Sequence, residues 1–316
     1  MKFRFFLPLL VMVFLSACNT SGNSSVEYPE LGLEWSPIDS INNELPEGLS
    51  VYQSIHVGAN LRAWYVLVEE SLPEIESRVV VSNDSDRRET VSDFAQRLGV
   101  PVMINGGYFR MDLNPAKHVG LLKVDDELIH AATSSVLRGE ERFYLYRSAI
   151  GFDENNALEI NWVSSSGDSV YKWEEGIDNI PGQPGSKKDT TYRSPWTYRD
   201  ILGAGPVLLQ NGKVHIPVNE EVFFGTSIPE VHPRTAAGIT ASGDLILLLV
   251  DGRQLISRGV DLPELAQIML ELGCKDAINL DGGGSSALVV NGMLLNRPAG
   301  KTVEREVMSA IAVYAH

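Results

Sequence analysis

Apolar and polar residues alternate along most of the chain after residue 48, which is the pattern of half-buried β-strands. Turn-forming residues separate neighbouring runs, and Asn211-Gly212 between two such runs is the strongest short signal for a β-hairpin. Similar turns elsewhere predict that hairpins follow one another along the chain. We predict strands at 51–57, 61–69, 78–82, 101–104, 121–124, 127–130, 148–152, 157–163, 206–210, 213–217, 236–240, 245–250, 276–280, 287–290, 293–295 and 308–314.

Two segments have the periodicity of helices instead. Residues 89–98 and 261–272 each have an N-cap residue at or next to their start, Thr90 or Asp261, that is followed three positions later by an acidic residue. A glycine follows each segment, as is usual at a helix end. The pattern as a whole predicts a strand-rich mixed α/β (α+β) fold, in which mixed or antiparallel sheets of serial hairpins pack with a few helices.

The segment 164–200 interrupts the succession of predicted strands and turns and is rich in Ser, Gly, Pro, Lys and aromatic residues. A long irregular segment inside a compact domain is usually a functional lid or an insertion. A variable surface loop explains the composition equally well. We therefore predict one domain over 49–316 with an insertion near 164–200, preceded by a flexible tether and lead-in over 18–48.

Residues 1–17 have the features of a signal peptide. A short basic start with Lys2 and Arg4 precedes an apolar run over 5–15, which is too short to span a bilayer as a helix. The segment ends in Leu15-Ser16-Ala17-Cys18, which resembles a bacterial lipobox. An ordinary secretory signal with an incidental cysteine is the alternative.

The resemblance to a lipobox implies that Cys18 becomes the lipid-modified first residue of the mature chain. The polar stretch 19–25 suits a flexible tether, and Asn19 resembles the residue that directs lipoproteins to an outer membrane. We therefore predict a protein of the bacterial cell envelope that is anchored in the membrane through Cys18. The outer membrane, on its periplasmic side, is the predicted location.

Composition and charge exclude several classes of protein. The chain is 44% hydrophobic, which excludes wholesale disorder. Its 26 Lys and Arg against 41 Asp and Glu give a net charge of −15, and no basic cluster interrupts that acidity, so nucleic acid is not a predicted partner. Two cysteines exclude a disulfide scaffold, and six scattered histidines do not favour a zinc site.

The strongest candidate for chemistry is the strand-to-loop junction Asp281-Gly282-Gly283-Gly284-Ser285-Ser286. Three consecutive glycines expose successive N–H groups, so the backbone can surround an anion with the aspartate at its rim. The alternative is a tight hairpin or bulge. Three glycines flanked by an aspartate and two serines make that alternative the weaker one.

Two further motifs follow strand ends or connect strands. Asn105-Gly106-Gly107-Tyr108 offers an amide, a close approach through the glycines and an aromatic face for a sugar, although Asn-Gly-Gly is also ordinary turn chemistry. Arg234 has a planar fork suited to phosphate, and Asp251-Gly252-Arg253 follows after one strand pair. From the residues alone, a solvated ion pair between arginine and aspartate is the simpler explanation of this third motif. The nucleophile elbow, the phosphate-binding P-loop, the dinucleotide-binding motif and the zinc-protease motif are all absent from the sequence.

Taken together and in order, the motifs resemble the phosphodiester glycosidase family over about residues 51 to 314. The matching segments are Ile104-Asn105-Gly106-Gly107-Tyr108-Phe109, Gly203-Ala204-Gly205-Pro206, His232-Pro233-Arg234-Thr235-Ala236, Asp251-Gly252-Arg253, Glu264-Leu265-Ala266-Gln267-Ile268-Met269 and Asn279-Leu280-Asp281-Gly282-Gly283-Gly284-Ser285-Ser286. The resemblance implies hydrolysis of a sugar whose anomeric carbon is linked to a phosphodiester. The polar residues of the family map onto Asn105, Arg234, Asp251 and Asp281, and we assign catalysis to these four. We assign substrate binding to Gly106, Gly107, Tyr108, Arg253, Gly282, Gly283, Gly284, Ser285 and Ser286.

The residues support that chemistry in their own right. Cleavage at the sugar carbon expels a phosphate monoester, whose charge Arg234 and the glycine run can stabilise. Either Asp281 or Asp251 can activate water or stabilise the developing cation, and their separation would then indicate retention or inversion. The same acidic residues can hold a divalent cation, Ca²⁺ or Mg²⁺.

Two alternatives come from other classes of function. One is a metal-assisted phosphodiesterase that breaks the P–O bond. The other is a non-catalytic envelope lipoprotein that binds anionic glycans. The sequence specifies neither the sugar, nor the group at the other end of the phosphodiester, nor the oligomeric state.

Overall fold

The computed structural model describes residues 31–316, so the predicted signal peptide and Cys18 lie outside the described residues. Three α-helices occur in this part of the chain: α1 (Asp39–Asn42), α2 (Val91–Leu98) and α3 (Leu262–Glu271). The strands are β1 (Ser36–Pro37), β2 (Leu49–His56), β3 (Leu61–Val68), β4 (Ile75–Val81), β5 (Val102–Asn105), β6 (Phe109–Arg110), β7 (Lys117–His118), β8 (Leu122–Val124), β9 (Glu127–His130), β10 (Ser135–Arg138), β11 (Glu141–Tyr144), β12 (Arg147–Phe152), β13 (Leu158–Ser166), β14 (Ser169–Trp173), β15 (Arg193–Pro195), β16 (Asp200–Gly203), β17 (Val207–Gln210), β18 (Lys213–Val214), β19 (Arg234–Thr240), β20 (Leu245–Val250), β21 (Cys274–Asn279), β22 (Leu288–Val290), β23 (Met293–Leu294) and β24 (Ser309–Ala315).

Most of these strands belong to three antiparallel sheets. The eight-stranded sheet has the order β1-β2-β3-β20-β19-β21-β17-β18, and the seven-stranded sheet has the order β15-β14-β13-β12-β16-β8-β9. The five-stranded sheet has the order β23-β22-β5-β24-β4. Two short ribbons, β10-β11 and β6-β7, complete the set. The predicted serial hairpins are therefore confirmed, in antiparallel sheets.

The three sheets share one apolar core. Val66 from the eight-stranded sheet, Ile104 and Ile311 from the five-stranded sheet, and Leu122 and Ile150 from the seven-stranded sheet are all buried in the same cluster. Burial of such side chains is the main force that holds the sheets together.

Both predicted helices are present, and each begins at the cap that the sequence indicates. The Thr90 hydroxyl accepts the Asp93 N–H at 3.0 Å, and Asp261 with Glu264 forms a reciprocal capping box. Helix α2 packs through Phe94 on the outer face of the five-stranded sheet, and α3 packs on the outer face of the eight-stranded sheet. The helices have only four, eight and ten residues and lie outside the sheets, so the fold is more nearly all-β than the predicted α+β class.

Two segments are more ordered than their composition indicates. Much of 164–200 continues the seven-stranded sheet, because β14 pairs with β13 and β15 pairs with β14 at its edge. Part of the lead-in also packs on the domain: β1 pairs with β2, and Ile41 is buried in the shared core. Pairing at or near a sheet edge leaves little trace in local sequence.

The ends of three strands meet where the eight-stranded and five-stranded sheets adjoin. Strand β5 ends at Asn105, β19 begins at Arg234, and β21 ends two residues before Asp281. The Asp281 N–H donates to the Gly106 carbonyl at 3.0 Å, which ties the two sheets together at this point. The junction therefore gathers motifs that lie more than a hundred residues apart.

Candidate active site

A cavity of about 140 Å³ opens at this junction. Its lining includes Tyr108, His232, the three arginines Arg234, Arg253 and Arg305, and Asp281 with the glycine run that follows it. Larger clefts, of about 200–500 Å³, surround Trp173 on the seven-stranded sheet, but none of them is lined by a predicted site residue. The chemistry that the motifs predict is therefore concentrated in the smaller cavity.

Asp281 supplies the carboxylate of the cavity. Its Oδ1 accepts the Gly282 N–H at 2.9 Å. Burial raises the pKa of Asp281 to about 6, although the Ser285 hydroxyl, the Gly282 N–H and the charge of Arg305 each oppose that rise. A carboxylate that titrates near neutral pH is suited to acid–base or nucleophilic chemistry.

Arg234 is a buried cation, with 2% of its surface exposed. Its guanidinium donates to the carbonyls of Val260 at 3.0 Å and Ile228 at 2.7 Å, and also to that of Glu230. Within residues 31–316 it forms no ion pair with a carboxylate. Burial lowers the pKa of Arg234 from its ordinary value, yet arginine stays charged, so the cavity keeps an uncompensated positive charge.

Arg253 is held by His232 at the mouth of the cavity. Its backbone has a φ of +58°, an uncommon conformation for a residue with a side chain, and its guanidinium donates to His232 Nδ1 at 3.1 Å. The opposite ring nitrogen, Nε2, lies 2.8 Å from the Ser227 carbonyl, which assigns the proton to Nε2. Burial and the two neighbouring guanidiniums lower the pKa of His232, so this ring is neutral at pH 7.

Arg305 is a cavity residue that sequence reasoning missed. Its guanidinium lies 3.5 Å from the Ser285 hydroxyl, beside Asp281. In the sequence it stands between Glu304 and Glu306, a context that indicates a solvated ion pair on the surface. The neighbouring glutamates give no local signal for a binding site, because the loop 301–306 reaches the cavity only through the tertiary fold.

The glycine run makes room for two of these arginines. A Cβ on Gly283 would lie 3.3 Å from the Arg253 guanidinium, and one on Gly284 would lie 2.5 Å from that of Arg305. The predicted anion nest of three free N–H groups is not formed, because the Gly282 N–H donates to Asp281 and the Gly283 N–H donates to the Pro233 carbonyl. The positive charge beside the glycine run therefore comes from guanidinium groups that approach the bare backbone.

Asn105 is buried behind the cavity and does not line it. Its Nδ2 donates to the Asp281 carbonyl at 2.7 Å, while its Oδ1 accepts from the Thr235 hydroxyl at 2.7 Å and the Ala287 N–H at 3.1 Å. One amide thus holds both ends of the loop from Asp281 to Ala287. The structure gives Asn105 a positioning role in place of the predicted contact with substrate.

Gly106 and Gly107 serve the same packing. A Cβ on Gly106 would lie 2.6 Å from the Ser309 hydroxyl, and a Cβ on Gly107 would overlap the Gly203 carbonyl. These two glycines therefore allow the strand ends to meet, and neither lines the cavity.

Tyr108 lies between the backbone and the cavity. Its hydroxyl donates to the Gly205 carbonyl at 2.8 Å and accepts from Asn279 Nδ2 at 2.7 Å. Burial and the charge of Asp281 raise the pKa of Tyr108 well above its ordinary value, so the phenol stays neutral. Its ring is available to a ligand in the cavity, as the sequence predicts.

Asp251, the second predicted catalytic carboxylate, does not line the cavity. It is buried, and its Oδ1 accepts from Asn296 Nδ2 at 3.3 Å. The same Nδ2 donates to the Ser286 carbonyl at 2.9 Å, so Asp251 supports the back of the glycine loop. Ser285 and Ser286 are buried in that loop, and within the described residues the Ser286 hydroxyl has no hydrogen-bond partner.

The fold and the cavity define a strand-rich domain with a cationic cavity built around one carboxylate. The sequence profile of the family described as phosphodiester glycosidase matches residues 98–314. That match covers more than half of the chain, and the protein belongs to the phosphodiester glycosidase family. The resemblance seen in the motifs is thereby confirmed.

Similar proteins agree with this assignment. N-acetylglucosamine-1-phosphodiester alpha-N-acetylglucosaminidase from Bos taurus is 29% identical over 224 residues, which are 68% of this chain and 36% of the bovine protein. The human enzyme of the same name is 27% identical over 222 residues. The chain thus spans about a third of the length of the curated relatives it matches.

Two solved structures share the fold. The catalytic domain of zebrafish N-acetylglucosamine-1-phosphodiester alpha-N-acetylglucosaminidase, auto-inhibited by its pro-peptide, superposes with a TM-score of 0.60 at 20% identity, covering 90% of this chain and 88% of that one. A hypothetical protein from Synechocystis also has a TM-score of 0.60, at 18% identity, covering 85% of this chain and 62% of the other.

Proposed function

We propose that the protein hydrolyses a sugar 1-phosphodiester at the anomeric carbon. The observation that carries this proposal is that one cavity contains both a carboxylate whose pKa is raised to about 6 and three guanidiniums. None of the three guanidiniums forms an ion pair with a carboxylate among residues 31–316. Such guanidiniums suit a phosphate group. The activity for which the bovine and human relatives are named supports the same substrate class.

The chemistry follows from which bond breaks. The bond between the anomeric carbon and the phosphate oxygen is cleaved, a water oxygen joins the sugar, and the phosphate leaves as a monoester. Arg234, Arg253 and Arg305 stabilise the negative charge that develops on the leaving group. Asp281, as a carboxylate, takes the proton from water or stabilises the cationic carbon.

The cavity lining supports a single-carboxylate site. Asp251 is engaged with Asn296, so two carboxylates do not face each other across the substrate, as they do in the common glycosidase arrangement. A divalent cation, the cofactor considered from sequence, fits this lining poorly because one carboxylate stands against three guanidiniums. Among the described residues, no three His, Cys, Asp or Glu side chains converge.

Product analysis tests the proposal. We expect N-acetylglucosamine 1-(methyl phosphate) to give free N-acetylglucosamine and methyl phosphate, with ¹⁸O from labelled water in the sugar. EDTA should leave the rate unchanged, because the guanidiniums carry the role that a cation would have. N-acetylglucosamine 1-phosphate with methanol as the products, or loss of turnover in EDTA, would refute it and favour a metal-assisted phosphodiesterase.

We further propose that the protein acts in the bacterial cell envelope as a lipoprotein. The lipobox-like end of the leader supports this location, and it lies outside the described residues. Within residues 31–316, no helix is long and apolar enough to cross a bilayer. Cys18→Ser is expected to move the protein from the membrane fraction to the soluble fraction, as measured by fractionation of cells that express each form. An unchanged membrane fraction in the variant would contradict a lipid anchor at this residue.

A further inference from the structure

Four exposed aliphatic side chains lie on the loops that carry cavity residues. We call this set the aliphatic rim: Val231, Leu255, Ile256 and Val303. Each lies within three residues of His232, Arg253 or Arg305, which line the cavity. The exposed apolar side chains thus lie on the same loops as His232 and the guanidiniums of Arg253 and Arg305.

The tip of the rim is held in place by a tight turn. The Gln254 N–H donates to the Ser257 carbonyl at 2.9 Å, and the Ser257 N–H donates to the Gln254 carbonyl at 3.2 Å. The Ser257 hydroxyl donates to the buried Asp251 carbonyl at 2.8 Å. Turns usually place Gly, Asn, Asp or Ser at such tips, whereas here Leu255 is 98% exposed. A fixed and fully exposed leucine gains free energy from any apolar partner that covers it.

The turn and the loop that carries Arg305 form one surface. Gln254 Nε2 donates to the Arg297 carbonyl at 3.1 Å, and a Cβ on Gly300 would lie 2.9 Å from the Gln254 side chain. Val303, which is 76% exposed, follows in the same loop two residues before Arg305. The rim therefore adjoins the guanidiniums of Arg253 and Arg305, and an amphiphile with a phosphate head group matches both parts.

We propose that the substrates are sugar phosphodiesters of lipid alcohols, with the phosphate on the arginines and the alkyl chain along the aliphatic rim. This inference rests on the proposed function of the cavity and specifies its leaving group. Hydrolysis then breaks the bond from the anomeric carbon to oxygen, adds the water oxygen to the sugar and releases an alkyl phosphate. A nucleoside or a second sugar would bring hydroxyls to side chains that cannot hydrogen-bond them.

The test compares the methyl and octyl phosphodiesters of sugar 1-phosphate at concentrations at which both are monomeric. We expect kcat/KM to be roughly tenfold higher for the octyl ester, which corresponds to about two buried methylene groups. Leu255→Ser and Val303→Ser should each lower this octyl-to-methyl ratio. Ile180→Ser is the matched control, because Ile180 is 54% exposed and begins a turn closed by the same pair of backbone bonds, away from the cavity.

The outcomes separate this inference from the proposed function. Equal turnover of the two esters would overturn the lipid substrate while the hydrolase stands, whereas turnover of neither would overturn both. If Ile180→Ser lowers the octyl-to-methyl ratio as much as Leu255→Ser does, binding of the alkyl chain along the aliphatic rim is also refuted. Binding of the protein to sugar-free phospholipid vesicles, with no chain-length preference for monomeric esters, would assign the rim to a membrane surface instead.

Discussion

Asp281→Asn should lower kcat for the sugar phosphodiester by about 10³-fold, the scale on which a general base or nucleophile acts. The substitution keeps the side-chain shape and an oxygen that can accept the Gly282 N–H. Because burial disfavours the ionised form of Asp281, a neutral amide should not lower the free energy of unfolding. Loss of activity without loss of stability is the expected combination, measured by initial rates and by thermal unfolding.

Asp276→Asn is a matched control on the strand that leads to Asp281. Asp276 lies on β21, and its Oδ1 also accepts a backbone N–H, from Asn211 at 2.9 Å. It does not line the cavity, so the control should keep its full rate. Equal rates for Asp281→Asn and the native protein would remove Asp281 from the mechanism.

The pH profile identifies the form in which Asp281 acts. If the carboxylate is the active form, kcat/KM should fall tenfold per pH unit below about 6, since the profile of kcat/KM reports groups of the free enzyme. This fall of kcat/KM at acidic pH should be absent from the pH profile of the residual activity of Asp281→Asn. A profile that instead falls above pH 6 would show that Asp281 acts as an acid.

The fold was largely predictable because its signals are local. A two-residue turn such as Asn211-Gly212 determines which strands are neighbours, and the Asp261 cap determines where α3 begins. Eight strands were missed: β1, β6, β7, β10, β11, β14, β15 and β16. Most of them are two-residue, edge or ribbon strands, whereas β16 lies inside the seven-stranded sheet and is buried along its whole length, so it shows no alternation. Helices α2 and α3 were predicted correctly and the four-residue α1 was not, and these short lengths make the fold less helical than the α+β class suggests.

The candidate site was predictable in part, because single motifs do not show which atoms face a cavity. Asp281, Arg234 and Tyr108 line the cavity as the motifs predict. Asn105 and Asp251 lie behind it, where their hydrogen bonds hold the glycine loop in place. A polar residue at a strand end looks the same in sequence whether it contacts substrate or supports the residue that does.

The glycine run is a second case in which the sequence predicts a feature of the site without identifying the contact that it makes. Three glycines indicate a close approach, and the sequence favours an anion as the group that approaches. The structure instead brings Arg253 and Arg305 against the glycine backbone, from loops on either side in the chain. Neither arginine is adjacent to the run in sequence, so only the tertiary fold reveals the contact.

Gly284→Ala should therefore act through Arg305. The new Cβ would lie 2.5 Å from the Arg305 guanidinium, which is the end of a flexible side chain and can swing away. The φ of Gly284 is outside the left-handed region, so alanine adopts the backbone without strain and the fold is kept. We expect kcat/KM to fall about 10–100-fold, the worth of a charge-assisted hydrogen bond to phosphate.

Arg305→Ala should give a loss of the same size, and the double variant should lose no more than either single variant. Losses of two changes that act through one group do not add, whereas independent effects multiply in rate. Gly58→Ala is the control, at a glycine outside the cavity with φ also outside the left-handed region. If the double variant instead shows the product of the two single losses, Gly284 contributes to the site independently of Arg305. If Gly284→Ala retains full activity, the guanidinium position in the structure is not the one that binds phosphate.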